Sequence, residues 1–342
     1  MPSDVLRVLL TNDDGPPGVD SPYIYGLYKH LANVLGWDVK VVIPSTQRSW
    51  IGKAYHIKDT IRGKYYYPRD PDGLGEVADS SRPLKDGTAF LTDRSQTPAT
   101  CTNVALHNLY PGQIDLVLSG PNLGRNTSAA FALSSGTIGA ALSSALSGTR
   151  SIALSYGTVV RPTPIAWFEP AHTLSLRIIR YLWSNWGKDE GGLRNSEVDL
   201  YNVNIPMIAG LLDDEGLQIC WTTIWRNAYG SLFKALPDTQ TAGLTKEVPE
   251  AGPDAPNASA ATGAATALER PASLVFKFSP EMRGLITPDE ATLPEGSDGW
   301  AILKGFVSVT PLRASYAEPP VEGIRMAGED KGSDTIIWKM KL

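Results

Sequence analysis

The stretch Val5-Leu6-Arg7-Val8-Leu9-Leu10-Thr11-Asn12-Asp13-Asp14-Gly15 decides the fold class. Val5 to Thr11 is apolar but for Arg7, the pattern of a strand covered on both faces, and Asn12 to Gly15 is turn chemistry. A strand covered on both faces belongs to a parallel sheet sandwiched by helices, so the next periodic segment should be helical. Ile24, Leu27, Tyr28 and Leu31 recur at i, i+3, i+4 and i+7. Val39 to Ile43 then reads as a second strand stopped by Pro44. These segments make one βαβ unit.

Working outward, the pattern returns at Ile114 to Ser119, a strand. It is followed by a Gly/Asn/Ser-rich loop, by Ile138, Ala141, Leu142, Ala145 and Leu146 at helical spacing, and by a strand at Ser151 to Ser155. Leu174, Ile178, Tyr181 and Leu182 mark a further amphipathic helix, and Val198 to Ile205 a strand ended by Pro206. The predicted class is α/β, a layered and mostly parallel sheet in a single domain over residues 1–342. Residues 237–271 are dominated by Ala, Gly, Pro, Thr and Ser, which predicts a flexible insertion in that domain. Strand-like sequence resumes at Leu274 to Phe278 and Phe306 to Val309, and no repeat of solenoid length occurs.

A net charge of -5 without a Lys/Arg run excludes the electrostatic footprint of duplex nucleic-acid binding. The start lacks a basic segment followed by an apolar one, and no apolar run reaches membrane-spanning length, so the expectation is an unexported, cytoplasmic protein with no membrane partner. On that expectation the sequons at Asn126 and Asn257 carry no glycan. Two cysteines, Cys101 and Cys220, and four scattered histidines supply neither a disulfide framework nor a Cys/His zinc site.

Asp13 and Asp14 stand directly after the first strand, at the end of a parallel sheet where ligands bind. An Asx turn would use the same residues. The loop Ser119-Gly120-Pro121-Asn122-Leu123-Gly124-Arg125-Asn126 leaves another strand at the same edge. The amide oxygen of Asn122, carboxylates and a hydroxyl make an all-oxygen set that suits Mg²⁺, Mn²⁺ or Ca²⁺ better than zinc. Asn122 and Asn126 are equally good turn formers. Ser134-Ser135-Gly136-Thr137 opens a helix, so it is either a cradle for a phosphate or an ordinary N-cap. Gln47-Arg48-Ser49 adds a guanidinium and a hydroxyl past the second strand. Separate strand-end loops all carrying hard-metal ligands and anion donors are poorly explained by turn preference alone.

Leu10-Thr11-Asn12-Asp13-Asp14-Gly15, Pro44-Ser45-Thr46-Gln47-Arg48-Ser49, Ser119 to Asn126 and Ser135-Gly136-Thr137 together resemble the SurE survival-protein family of metal-dependent nucleotidases. Weaker matches run through Asn202 to Pro206, Thr223 to Arg226 and Gly305 to Pro311. The resemblance implies a three-layer, Rossmann-like sheet with a C-terminal extension or hairpin, and hydrolysis of nucleoside 5'- or 3'-monophosphates or other small phosphomonoesters. It implies Asp13, Asp14, Ser49 and Asn122 as ligands of Mg²⁺ or Mn²⁺, with Asp13 and Asp14 at the chemistry. Asn126, Ser135, Gly136 and Thr137 would lie near the phosphate. A homodimer or homotetramer is implied as well, and the insertion suits a eukaryotic, fungal-like member.

Arg48 and Arg125 are candidates to hold phosphate. Trp50 stands where the family commonly has Gly, and it either contacts the substrate or simply packs. Thr100 stands where the family's Thr-Pro-x-Asp-Cys pattern has Asp. Two rivals are considered: an aspartyl-phosphate phosphatase of the haloacid dehalogenase type, whose Asp-x-Asp spacing Asp13-Asp14 does not fit, and a non-catalytic nucleotide- or metal-binding module.

Overall fold

The computed structural model describes residues 5–82, 90–93, 97–158, 162–228, 230–235, 275–280 and 288–317. The low-complexity stretch 237–271 lies outside the described residues, as do the last residues, 318–342.

In chain order the elements are β1 (Arg7–Thr11), α1 (Ile24–Lys29), β2 (Asp38–Pro44), β3 (Lys64–Pro68), β4 (Gly75–Ala78), β5 (Phe90–Asp93) and α2 (Pro98–Val104). Then come β6 (Leu116–Leu123), α3 (Ser128–Ser134), α4 (Gly136–Leu146), β7 (Arg150–Thr158), α5 (Phe168–Ser184), β8 (Leu200–Met207) and β9 (Ile219–Trp221). The described chain closes with β10 (Phe233–Ala235), β11 (Phe276–Phe278), α6 (Asp298–Leu303) and β12 (Val307–Leu312). Strand order in the main sheet is β4-β3-β5-β2-β1-β6-β7-β8-β12-β9. It is parallel from β5 through β8, and antiparallel where β12 meets β8 and where β3 meets β5 and β4. Among the described residues, strands β10 and β11 pair only with each other.

The layering follows from strand periodicity, because successive side chains point to opposite faces. Val8 and Leu10, Val41 and Ile43, Leu116 and Leu118, and Ile152 and Leu154 face one core with Ile24 and Leu27 of α1 and Ile178 and Ile179 of α5. The residues between them face the other side. Leu9, Val42 and Val117 pack on Cys101 and Ala105, and Ala153 packs on Ile138 and Ala141 of α4. Both cysteines are free thiols.

The helix phasing read from sequence is right for α1, whose Ile24 and Leu27 are buried together with Leu31 in the helical turn that follows it. In α5 it is off by part of a turn: Tyr181 is 58% exposed, and the buried stripe runs through Ala171, His172, Ser175, Ile178, Ile179 and Leu182. His172 and Ser175 belong to it because Tyr156 Oη bonds both, at 3.0 and 2.8 Å, which satisfies polar atoms that sequence periodicity counts as outward. Among the described residues no single helix is long and apolar enough to cross a membrane.

Candidate functional site

From β1 the chain crosses to β2 on one side, while β6 lies on the other. The crevice beyond the carboxyl ends of β1 and β6 is therefore the switch point of the sheet, where loops diverge and leave room for a ligand. Asp13 and Asp14 occupy it, 2% and 3% exposed. Asn12 shapes their turn: its Nδ2 donates to Gly15 O (2.8 Å) and Ser21 Oγ (2.9 Å), and its Oδ1 accepts from the Gly15 N–H (3.1 Å). Arg48 N–H donates to Asp13 O at 2.6 Å, which ties the turn after β1 to the loop after β2 that carries Ser49.

The Asp13 carboxylate is met by the start of α4. Thr137 Oγ1 donates to Asp13 Oδ1 at 2.6 Å and Thr137 N–H to Oδ2 at 3.1 Å. Ser135 caps the same helix, its Oγ accepting from Ile138 N–H at 3.1 Å. Both sequence readings of this segment thus coexist: it is an N-cap, and it faces an anion. That anion is the chain's own Asp13. Gly136 lets the two approach, because a Cβ there would lie 2.8 Å from Asp13 Cβ. Burial pushes the Asp13 carboxyl up, and the Thr137 bonds counter part of that.

Asp14 Oδ2 accepts from Leu123 N–H at 2.7 Å, which joins the turn after β1 to the end of β6. Its Oδ1 is buried and has no hydrogen-bond partner among the described residues. Burial first, and the charge of Asp13 second, push this carboxyl well above the ordinary carboxylate range. Two adjacent buried acids with an unsatisfied oxygen are unfavourable alone and fit a hard cation placed between them. Among the described residues no group of three or more His, Cys, Asp or Glu could hold a metal. A ligand set here would have to be completed by neutral oxygens. Asn122 stands beside Leu123, 7% exposed, with its Nδ2 donating to Gly124 O (2.7 Å), and Ser49 is half-buried next to Arg48.

The end of β6 reaches the site through an irregularity. Its register with β7 shifts between Ser119 and Asn122, and such a bulge re-aims the residue that follows. Gly120, at φ +128, is required there, since a Cβ would collide with Leu154 O.

The loop beyond is held from far away in sequence. Asn126 N–H donates to Asn204 Oδ1 (2.7 Å), Asn202 Nδ2 donates to Asn126 O (2.8 Å), and Asn126 Nδ2 donates to Ser155 Oγ (2.9 Å). The side chain of Asn126, expected near a phosphate, is engaged by β7. Asp298 collects the N–H groups of Ser128 (2.8 Å), Trp225 (2.9 Å) and Gly299 (2.7 Å). Burial nevertheless pushes its carboxyl up to about 6 against those bonds and the nearby Arg125 charge. Arg125 runs alongside Gly157 of β7, and Trp50 packs its ring 5.8 Å from that of Phe131.

Asn202, Asn204 and Asp298 were not among the residues read from sequence as part of the site. For the asparagines a signal existed: two amides at alternate positions of a wholly buried strand point to one face and need partners there. Asp298 offered none, since Ser297-Asp298 reads as an ordinary helix start. Thr100, the departure from the family pattern, lies in the first turn of α2, where its N–H donates to the Thr97 cap at 3.2 Å.

A family model described as "Survival protein SurE" matches residues 8–231. A Saccharomyces cerevisiae protein named as a probable tubulin–tyrosine ligase is 34% identical over 252 residues, 67% of this chain and 32% of that protein. A 5'-nucleotidase SurE of a Caulobacter species is 32% identical over 60% of this chain and 64% of its own. One from Ruegeria pomeroyi is 29% identical over 94% and 99%. The chain therefore spans 32% of the length of the yeast relative, and the ligase name belongs to that longer protein. The crystal structure of a SurE protein from Aquifex aeolicus superposes with a TM-score of 0.56 at 24% identity, covering 91% of this chain and 94% of that one. That superposition bears on the fold, an α/β sheet of the same layered type.

Proposed function

The chain belongs to the SurE survival-protein family, and on that premise we propose that it is a divalent-metal-dependent phosphomonoesterase acting on nucleoside monophosphates or similar small phosphomonoesters. The observation that carries this reading is the Asp13–Asp14 pair: two buried, adjacent carboxyls, one with an oxygen lacking any partner among the described residues, at the switch point of a parallel sheet. The names of the bacterial relatives, 5'-nucleotidases, support the substrate class.

Asp13, Asp14, Asn122 and Ser49 would hold the cation, Mg²⁺ or Mn²⁺ by the hardness of the donors. When bound, the cation would neutralise phosphate charge and polarise the phosphorus–oxygen bonds. The chain's own part is positioning. Thr137 orients Asp13 through two hydrogen bonds, and Leu123 N–H fixes Asp14. The N-terminal end of α4, the positive end of the helix dipole, favours negative charge building nearby. Arg48 and Arg125 lie on loops flanking the crevice and would bring positive charge to nonbridging oxygens.

The test measures phosphate release from a panel of nucleoside monophosphates and an aryl phosphate, with Mg²⁺, Mn²⁺ or chelator, together with Mn²⁺ binding by calorimetry. Release should depend on metal and fall on the order of a hundredfold or more in Asp14→Asn. Asn122→Ala should weaken Mn²⁺ binding without unfolding the protein. Chelator-resistant release, or Mn²⁺ affinity unchanged in both variants, would overturn the assignment.

A further inference from the structure

Trp50 lies one residue past Ser49 and adopts φ +62. A bulky side chain in the left-handed region is a conformational outlier that persists only where its surroundings hold it. What holds it is an aromatic stack. The Trp50 ring sits edge-to-face against Phe131 at 5.8 Å and against Phe278 at 5.4 Å, and Phe278 in turn meets Phe233 at 5.5 Å.

The two ends of this stack differ. Phe131 is 3% exposed and backs the indole. Phe278 and Phe233 are 39% and 57% exposed, on the β10–β11 ribbon. A two-stranded ribbon has marginal stability by itself, and among the described residues this one pairs with no other strand, so its contact with Trp50 is a seat on the domain. Aromatic surface is thereby left open to solvent beside the candidate phosphate site. The loop bearing Trp50 is fastened to the junction of α3 and α4: Gly52 N–H donates to Ser134 O, at the end of α3, at 2.8 Å, and Ile51 packs against Gly136 at the start of α4. Phe131 lies in α3, between Asn126 and Ser135.

We propose that Trp50 and Phe278 form a wall on which the nucleobase of the substrate stacks while its phosphate sits at Asp13 and Asp14. This rests on the phosphomonoesterase reading and deepens it by naming the recognition element for the organic part of the substrate. Every base has a π-face, so an aromatic wall favours nucleotides over sugar phosphates while discriminating little among bases.

The experiment compares AMP with ribose 5-phosphate, which keeps the sugar and phosphate and lacks the base. The full chain is used with Mn²⁺, as wild type, Trp50→Gly and Phe278→Ala. Glycine accepts φ +62 without strain, and Phe278 is partly exposed, so both variants should fold. Dissociation constants from calorimetry and kcat/KM are measured for both compounds. The wild type should prefer AMP, and both variants should lower the AMP to ribose 5-phosphate ratio by roughly 5- to 100-fold, the range of one base stacked on an aromatic side chain. A ratio unchanged in both folded variants, or no wild-type preference for AMP, overturns the wall and leaves Trp50 as packing. Failure of the wild type to release phosphate from either compound would instead sink the phosphomonoesterase reading. The ratio of dissociation constants would still decide the wall.

Discussion

Two turns meet at the crevice, and they are built in opposite ways. The turn after β1 closes on itself: Asn12 bonds Gly15 twice and Ser21 once, all within nine residues. The turn after β6 is closed by strangers, with Asn126 held by residues 76 and 78 positions away and Ser128 by Asp298, 170 away. Both carry proposed ligands. The first is a local structure that the fold receives ready-made, whereas the second exists only once β7, β8 and α6 have assembled around it. The lesson is about vulnerability: the second should lose its shape through distant substitutions, whereas the first, although Arg48, Thr137 and Leu123 also reach it, should lose its shape mainly through its own.

The harshest way to break the contrast is Gly120→Ala. The new Cβ would strike the Leu154 carbonyl in a central strand that cannot move aside, so stability should drop by about 3 kcal/mol or more, read as a fall in the denaturation midpoint. Next is Asp298→Ala, which orphans three backbone N–H groups at once. A loss of about 2–4 kcal/mol is expected, with phosphate release falling too, since the Arg125–Ser128 loop loses its anchor. Retained activity with lost stability would show that the loop does not depend on that anchor.

Asp298 also predicts a pH effect. Its carboxyl ionises near 3.8 when free and near 6 in the folded protein, so folding takes up a proton between those values. The stabilisation is fully present below about 4 and is lost as pH rises through 6. The stability of the wild type relative to Asp298→Asn should therefore fall by up to roughly 3 kcal/mol between pH 4 and pH 7. A pH-independent difference would mean that the three N–H donors outweigh burial.

Smaller effects sharpen the other side of the comparison. Asn12→Ala should cost about 1–2 kcal/mol, because it leaves one buried backbone N–H, that of Gly15, without its acceptor, where Asp298→Ala leaves three. Ser21→Ala, which removes one of those bonds, should cost about 0.5–1 kcal/mol. If Asn12→Ala proved as damaging as Asp298→Ala, the first turn would not be the self-sufficient unit described.

Legibility followed the same division. The parallel centre could be read because strands covered on both faces carry apolar residues at successive positions instead of a strict alternation, so β1, β2, β6, β7 and β8 announce themselves. Strands β3 and β4 did not: Tyr65-Tyr66-Tyr67 alternates half-buried and buried at an antiparallel flank, and nothing in that pattern marks a sheet edge. The helix α3, with Phe131 inside it, reads in sequence as part of a loop because it is only Ser128–Ser134 long and rich in small residues. For the site, Asp13, Asp14 and the Ser135–Thr137 cap were visible as motifs. That Thr137 turns toward Asp13, and Leu123 toward Asp14, was not, since no local rule pairs residues 124 or 109 positions apart.

The sequence alone settled the α/β class, the strand ends that carry chemistry, and the residue types available there, because those depend on periodicity and on side-chain chemistry within a few residues. Tertiary structure decided which groups face one another: that α4's first turn serves Asp13, that one oxygen of Asp14 is left without a protein partner among the described residues, and that Asp298 fastens the far loop. Such pairings follow from the order of strands in the sheet, and that order is fixed by burial of both faces together, a property no single segment contains.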